Sequence, residues 1–184
     1  MISILELIAT ISGFNYVVLI ILKKPIGWIF GVISSLIFVQ ISWEAHLYSQ
    51  TILQLIYVIV GVVGYVKWKN DHHNSRILSQ GQKIVIYLVA LLISLGLGLG
   101  TSYTNQSMPY LDAFITVFGI VATYLTSEKH IENWVIWIIV NTLSILLFTQ
   151  QGLYMSAVLF GVYLLLSIIG LIRWKNDNSS EKTN

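Results

Sequence analysis

The sequence has no cysteine, few prolines and few charged residues. Charged residues make up 10% of its 184 residues, whereas an average soluble domain has about 25%. A disordered chain, a nucleic-acid-binding protein and a soluble globular enzyme are therefore excluded. Without cysteine the chain forms no disulfide, no thiolate nucleophile and no cysteine-ligated metal centre.

Apolar side chains are abundant instead. Hydrophobic residues account for 56% of the chain, and the mean hydropathy is +0.78. A membrane-spanning helix needs about 20 mostly apolar residues. The sequence predicts an all-α membrane protein with seven transmembrane helices. The connectors are too short to hold a soluble domain, so the whole chain is expected to be a helical bundle surrounded by lipid. The predicted spans are residues 2–22, 28–43, 50–66, 84–99, 111–125, 134–148 and 155–172.

Every lysine and arginine falls on one side of this seven-span topology. Cytoplasmic connectors carry the excess of Lys and Arg, so this side is predicted to be cytoplasmic and the N-terminus to lie outside. The C-terminus is then inside, in a multi-pass protein of the bacterial plasma (inner) membrane. The basic residues are Lys23, Lys24, Lys67, Lys69, Arg76, Lys83, Lys129, Arg173, Lys175 and Lys182.

The chain repeats itself without gaps at an offset of 106 residues. Matches are strongest at a Trp-Lys-Asn-Asp tetrapeptide, which occupies residues 68–71 and again 174–177. Weaker matches extend back to Leu5 and Leu111, so the first span pairs with the fifth and is expected to stay in the mature fold. Other identical pairs are Lys23 and Lys129, Trp28 and Trp134, Leu53 and Leu159, Tyr57 and Tyr163, and Gly64 and Gly170.

This repeat predicts a 3+1+3 plan with two parallel three-helix units. The units are residues 1–71 and 107–177, joined by a connector and linker helix at 72–106, with a cytoplasmic tail at 178–184. An unpaired fourth helix restores the direction of the second unit, so the repeats are related by an axis along the membrane normal. Transporters use this scheme and bind substrate near mid-membrane at the repeat interface.

The sixth span carries two tryptophans and an asparagine on one helical face. Trp134, Trp137 and Asn141 are spaced i, i+3 and i+7. Two indoles and a carboxamide suit a flat polar ring, and Trp binds cationic rings through its π face. Trp134 can equally be an interface anchor, and Asn141 an interhelical hydrogen-bonding group. Asn133 is a candidate path-lining residue.

Further candidates lie in the second, third and seventh spans. Trp28 and Ser35 occupy the equivalent face of the second span, with Gly31 between them. In the third span, polar residues recur every three positions, and Tyr57 matches Tyr163 of the seventh span as a path-lining or gating pair. Interhelical hydrogen bonding is the alternative for each. The third-span residues are Thr51, Gln54 and Tyr57.

No catalytic or metal motif is present in the sequence. It has no His-Glu-x-x-His, no Gly-x-Ser-x-Gly, no phosphate-binding loop for ATP and no acidic pair for acid–base work. His72-His73 lacks a third ligand. No cofactor and no metal are therefore predicted, and the chain is not expected to be an enzyme.

Several motifs resemble the PnuC family of vitamin transporters, over about residues 3–174. They are Pro109-Tyr110-Leu111-Asp112-Ala113, Glu132-Asn133-Trp134-x-x-Trp137-x-x-x-Asn141, Gln151-Gly152-Leu153-Tyr154, Gly31-Val32-Ile33-Ser34-Ser35, Leu47-Tyr48, Gln54 and Trp68. The resemblance implies a SWEET-like 3+1+3 fold. It also implies facilitated diffusion of an unphosphorylated vitamin that is used for NAD synthesis. A cytoplasmic kinase would then phosphorylate the vitamin and so trap it in the cell.

The resemblance favours nicotinamide riboside, because riboside-type members carry Asn at the position of Asn141. Thiamine-type members have Asp there and an aromatic residue where this chain has Ile136. Thr51 departs from the riboside-type pattern, which has Asn at that position. Uptake of thiamine or riboflavin by the same fold is the alternative, and an intramembrane enzyme or scaffold is the non-transport one. The assembly state is open, a homo-oligomer being one option.

Overall fold

The computed structural model describes residues 4–44, 48–71, 75–103 and 108–181. Within these ranges the backbone forms seven α-helices, and strand-like pairing is limited to an isolated bridge between Arg76 and His130. The helices are α1 (Ile4–Ile21), α2 (Ile26–Glu44), α3 (Tyr48–Asn70), α4 (Gln80–Ser102), α5 (Pro109–Ser127), α6 (Glu132–Gln150) and α7 (Tyr154–Glu181).

All seven helices are long and apolar enough to cross a membrane, so the predicted all-α membrane fold is confirmed. Most extend beyond their predicted spans, because polar residues outside hydrocarbon keep their helical hydrogen bonds. The 28 residues of α7 measure about 42 Å, longer than a hydrocarbon core of about 30 Å. Residues 178–181 of the predicted tail therefore continue α7. Residues 72, 106, 107 and 182–184, where predicted boundaries fall, lie outside the described residues.

The chain divides into two compact units. Unit one contains α1, α2 and α3 together with Thr126–Glu128, and unit two contains α4, most of α5, α6 and α7. In unit one α2 packs against both α1 and α3, and in unit two α6 packs against α7.

The turn after α1 and the turn after α5 have the same backbone geometry. Lys23 has φ = 55° and Lys129 has φ = 57°, a left-handed conformation that is uncommon outside glycine. The following residue then donates its N–H to the carbonyl five residues earlier, as in a Schellman motif. These hydrogen bonds are Lys24 N to Leu19 O and His130 N to Leu125 O, both 2.9 Å.

In unit one, a tryptophan on α2 is seated against a glycine of α3. Trp28 is 1% exposed, and a Cβ added to Gly64 would lie 2.6 Å from its ring. The ring also meets Trp68 edge-on, with centroids 5.6 Å apart and planes at 87°. Only glycine leaves room for this indole, so these three residues set how closely α2 approaches α3.

Unit two contains the equivalent arrangement between α6 and α7. Trp134 is 2% exposed, and a Cβ on Gly170 would lie 2.7 Å from its ring. Trp134 meets Trp174 with centroids 5.4 Å apart and planes at 87°. The same tryptophan–glycine–tryptophan contact therefore occurs in both units, at positions that match in the repeat.

The first turn of α6 is tied to the first turn of α4 and to the segment that precedes it. Glu132 Oε1 lies 2.9 Å from Lys83 Nζ and accepts a hydrogen bond from Leu78 N at 3.2 Å. Arg76 donates its N–H to Lys129 O and accepts from Ile131 N, both at 2.9 Å. Backbone pairing and an ion pair therefore hold the start of α4 in unit two.

The rest of α6 is covered along a broad face. Its buried residues contribute to a core with side chains of α4 and α5, while Val135 and Ile139 stay exposed on the opposite face. This asymmetry is typical of a helix with one protein-facing and one lipid-facing side. The buried core residues are Leu78, Ala90, Val117, Phe118, Ala122, Leu125, Ile136 and Val140.

Candidate substrate site

A hydrogen-bonded polar pair joins α6 to α7 near the middle of both helices. Asn141 is 2% exposed, and its Nδ2 donates to Ser167 Oγ at 3.1 Å. Ser167 in turn donates its hydroxyl proton to Tyr163 O, one turn earlier on α7, at 2.8 Å. Asn141 therefore makes the interhelical bond that was one of its two predicted roles. One of its N–H groups and its carbonyl oxygen remain for other partners.

Ser167 is absent from the residues predicted from the sequence. The repeat carries a signal for it, because Ser167 aligns with Gly61 of the first unit just as Asn141 aligns with Ser35. In the second unit the carboxamide of Asn141 stands in place of the hydroxyl of Ser35, and the hydroxyl of Ser167 stands in place of a glycine. Two such departures from the repeat, one on α6 and the other on α7, mark a polar contact that only one unit possesses.

Trp137 lies one turn before Asn141 on the same helix. It is half-buried and packs at the edge of the unit-two core. Unlike the other predicted tryptophans, part of its ring stays accessible. Trp137 is therefore the indole of α6 that can offer a surface to a flat ligand without leaving its packing.

Trp134 and Trp28 are held differently from Trp137. Each has a glycine against its ring and is almost fully buried, and their indole Nε1 atoms have no hydrogen-bond partner among the described residues. Contact with a substrate would require these rings to leave their glycine seats. The role of Trp134 and Trp28 as substrate contacts stays a prediction.

Asn133 is fully buried at the first turn of α6. Its Nδ2 donates to His130 O at 2.6 Å, which closes the turn between α5 and α6. Its Oδ1 is buried and finds no partner in the described part of the chain. This geometry gives Asn133 a structural role at the turn, while lining of the substrate path stays a prediction.

In unit one, the polar residues of α3 lie on its protected side. Thr51 is 5% exposed, and Gln54 and Tyr57 are half-buried. Three apolar residues of α3 are exposed and form a lipid-type face: Ile52, Leu55 and Ile59. The structure thus supports the predicted grouping of these three polar residues on one side of α3.

Ser35 lies on the protected side of α2, beside a serine that joins two helices. Ser35 is 8% exposed, and its neighbour Ser34 donates to Ala9 O of α1 at 2.9 Å. Ser34 thereby ties α2 to α1. Ser35 is one residue further along the same buried stretch, at the position that Asn141 occupies in unit two.

Tyr163 is half-buried on α7 within a small aromatic group. Its ring is 6.1 Å from that of Phe160, at 81°, and Phe160 stacks on Phe148 at 5.1 Å. Its carbonyl accepts from Ser167, so Tyr163 is connected to Asn141 through one side chain. Among the predicted residues of unit two, Tyr163 and Asn141 are thus brought together.

No group of three His, Asp or Glu side chains that could hold a metal ion occurs among the described residues. His72 and His73, which lack a third metal ligand in the sequence, lie outside the described residues.

Comparison with known families identifies the kind of protein. The model of a family described as nicotinamide mononucleotide transporter matches residues 3–176. The chain belongs to this family. The PnuC-type resemblance of its motifs is therefore confirmed. The prediction that the chain is a transporter and not an enzyme is confirmed as well.

Relatives of this transporter include nicotinamide riboside transporters named PnuC. The Escherichia coli (strain K12) protein is 24% identical over 94% of this chain and 85% of its own length. The Neisseria mucosa protein is 26% identical over 91% of this chain and 70% of its own length. A crystal structure of the vitamin B3 transporter PnuC is 25% identical, with a TM-score of 0.73 over 92% of this chain and 79% of that one.

Proposed function

We propose that this transporter carries nicotinamide riboside into the cytoplasm. The observation that carries the proposal is Asn141, a carboxamide buried mid-helix and held by Ser167, one turn from the accessible ring of Trp137. Nicotinamide riboside is a cationic pyridinium with a carboxamide and ribose hydroxyls. An indole face attracts the cationic ring, and an amide pairs with its carboxamide.

The remaining predicted residues are given supporting roles. Gln54 and Thr51 would bond ribose hydroxyls, since both side chains donate and accept. Tyr57 and Tyr163 would line the path, and Ser35 would lie beside it. Trp28 and Trp134 are proposed to fix helix packing in each unit, and to reach substrate only if a unit rearranges.

The transport mode is proposed to be facilitated diffusion. The sequence has no phosphate-binding loop for ATP, so ATP is not the direct energy source. Net uptake would follow from a cytoplasmic kinase that phosphorylates the vitamin. The N-terminus is proposed to be outside and the C-terminus inside, because all lysines and arginines then face the cytoplasm.

The test is a substrate screen on purified protein in detergent and in liposomes. Thermal shift is measured with nicotinamide riboside, thiamine, riboflavin and nicotinamide mononucleotide, since a ligand that binds the folded state raises the melting temperature. Counterflow of labelled nicotinamide riboside is then competed with the other three compounds. We expect nicotinamide riboside to give the largest shift and the strongest competition.

Each other outcome identifies an alternative. Stronger competition by thiamine or riboflavin would assign the protein to that vitamin. Counterflow that needs an ion gradient would contradict facilitated diffusion. No shift and no counterflow with any of the four would overturn vitamin transport altogether.

A further inference from the structure

The hydrogen bonds around Ser167 have a defined direction. Its hydroxyl carries one proton, which is donated to Tyr163 O at 2.8 Å. Ser167 can therefore only accept from Asn141, and the group that lies 3.1 Å away is Nδ2 of the carboxamide. The direction of both hydrogen bonds is set by the backbone carbonyl of Tyr163, which can only accept.

This direction determines which end of Asn141 is left for a ligand. With one N–H of the NH₂ group bonded to Ser167, the carbonyl oxygen Oδ1 is not engaged by that serine. A carbonyl oxygen accepts hydrogen bonds and cannot donate them. Asn141 thus presents this acceptor together with its second N–H, and rotation of its carboxamide would cost the bond to Ser167.

We propose that Ser167 is a positioning residue that holds Asn141 as an acceptor, so that the site selects a carboxamide over a carboxylate. The inference rests on the proposed function. The carboxamide of nicotinamide riboside has two N–H donors for Oδ1, whereas the carboxylate of nicotinic acid riboside has acceptors only. The amide can pair with both Oδ1 and the second N–H of Asn141, whereas the acid can pair with that N–H alone and leaves Oδ1 facing an acceptor. The unpaired acceptors disfavour the acid by about 10- to 100-fold.

The variant Ser167→Ala removes the acceptor that orients Asn141. The carboxamide can then rotate and offer its NH₂ group to a carboxylate. We expect the ratio of affinities, amide to acid, to fall at least about tenfold, mainly because the acid binds better. Ser167→Thr keeps a hydroxyl that can bond to the carbonyl one turn earlier, and should keep the wild-type ratio.

Ser144→Ala is the matched control. Ser144 is a fully buried serine on α6 that also donates to a carbonyl one turn earlier, Val140 O at 2.8 Å. Its removal takes away an equal hydroxyl from the same helix pair but leaves the bond between Asn141 and Ser167. The amide-to-acid ratio should stay at the wild-type value.

A second variant, Ser167→Cys, weakens the same contact without leaving a cavity. A thiol is a weak donor and a weak acceptor, so it orients the carboxamide of Asn141 less firmly than the hydroxyl does. The amide-to-acid ratio should fall below the wild-type value, though less than in Ser167→Ala. This outcome keeps the proposal testable if Ser167→Ala does not fold.

The experiment is competition for labelled nicotinamide riboside in liposomes containing each variant, with unlabelled nicotinamide riboside and nicotinic acid riboside. An equal loss of affinity for both compounds in Ser167→Ala would show a purely structural role and overturn the inference. So would a wild type that binds the two compounds equally. A wild type that binds neither compound would overturn the proposed function, and the inference with it.

Discussion

At the scale of single residues, two lysines occupy a backbone conformation that suits glycine. Lys23 and Lys129 both have left-handed φ values at the ends of α1 and α5. A side chain costs roughly 1–2 kcal/mol in this conformation. The same residue type stands at this position in both units, so both turns carry the same strain.

Replacing Lys23 by glycine is expected to stabilise the protein by about 1 kcal/mol, because glycine adopts this φ without strain. The measurement is thermal unfolding of the purified protein in detergent. Lys24→Gly is the control, since it removes the same charge at the next position, which has no positive φ. Equal stability changes in the two variants would show that the strain is negligible.

A second prediction at this scale concerns Trp137 and Asn141. Trp137→Ala and Asn141→Ala should each lower saturable uptake of nicotinamide riboside by about tenfold or more, because a cation–π contact or a buried hydrogen bond is lost. Uptake in liposomes is compared with melting temperature, so that loss of fold is seen separately. Trp43→Ala, at a tryptophan that is 62% exposed, should transport normally. Normal uptake by both site variants would contradict the assignment.

At the scale of helices, the packing of α6 on α7 depends on a missing side chain. A Cβ on Gly170 would lie 2.7 Å from the ring of Trp134, which is itself held against Trp174. The indole is too rigid to yield by a small shift. The equivalent contact between Trp28 and Gly64 constrains the packing of α2 on α3 in the same way.

Gly170→Ala should therefore destabilise the protein by about 1–3 kcal/mol, as overpacking does. Gly161→Ala is a matched control on the same helix, because nothing lies within 4 Å of the added Cβ. It should leave stability unchanged or raise it by up to about 1 kcal/mol. Thermal unfolding of the two variants distinguishes them, and equal stability would mean that the indole seat does not constrain α7.

At the scale of the whole molecule, the proposed orientation in the membrane rests on the distribution of charge. The chain contains no cysteine, so a single introduced cysteine reports its side without background. In intact cells an impermeant maleimide should label Gln151→Cys, in the turn after α6, but not Lys24→Cys, in the turn after α1. Lys24→Cys should react once the membrane is opened. The reverse pattern would invert the proposed topology.

The number and position of the helices could be predicted from the sequence, since crossing a bilayer depends on apolar length within one segment. The helix ends could not, because hydropathy does not mark where backbone hydrogen bonding stops; α7 thus continues to Glu181. Of the site, the buried position of Asn141 followed from its place among apolar residues. Ser167 did not, because its contact depends on how α7 crosses α6.

The sequence by itself determined seven apolar spans, a duplicated pattern and a family, all of which depend on composition and order along the chain. The tertiary structure alone decided that the ring of Trp134 lies on Gly170 and that the amide of Asn141 turns towards Ser167. The physical reason is that the rotation of each helix and the angle at which it crosses its neighbour result from many weak contacts. These contacts join residues that are far apart in sequence. Sequence spacing places residues on one face of a helix, but only packing determines what that face meets.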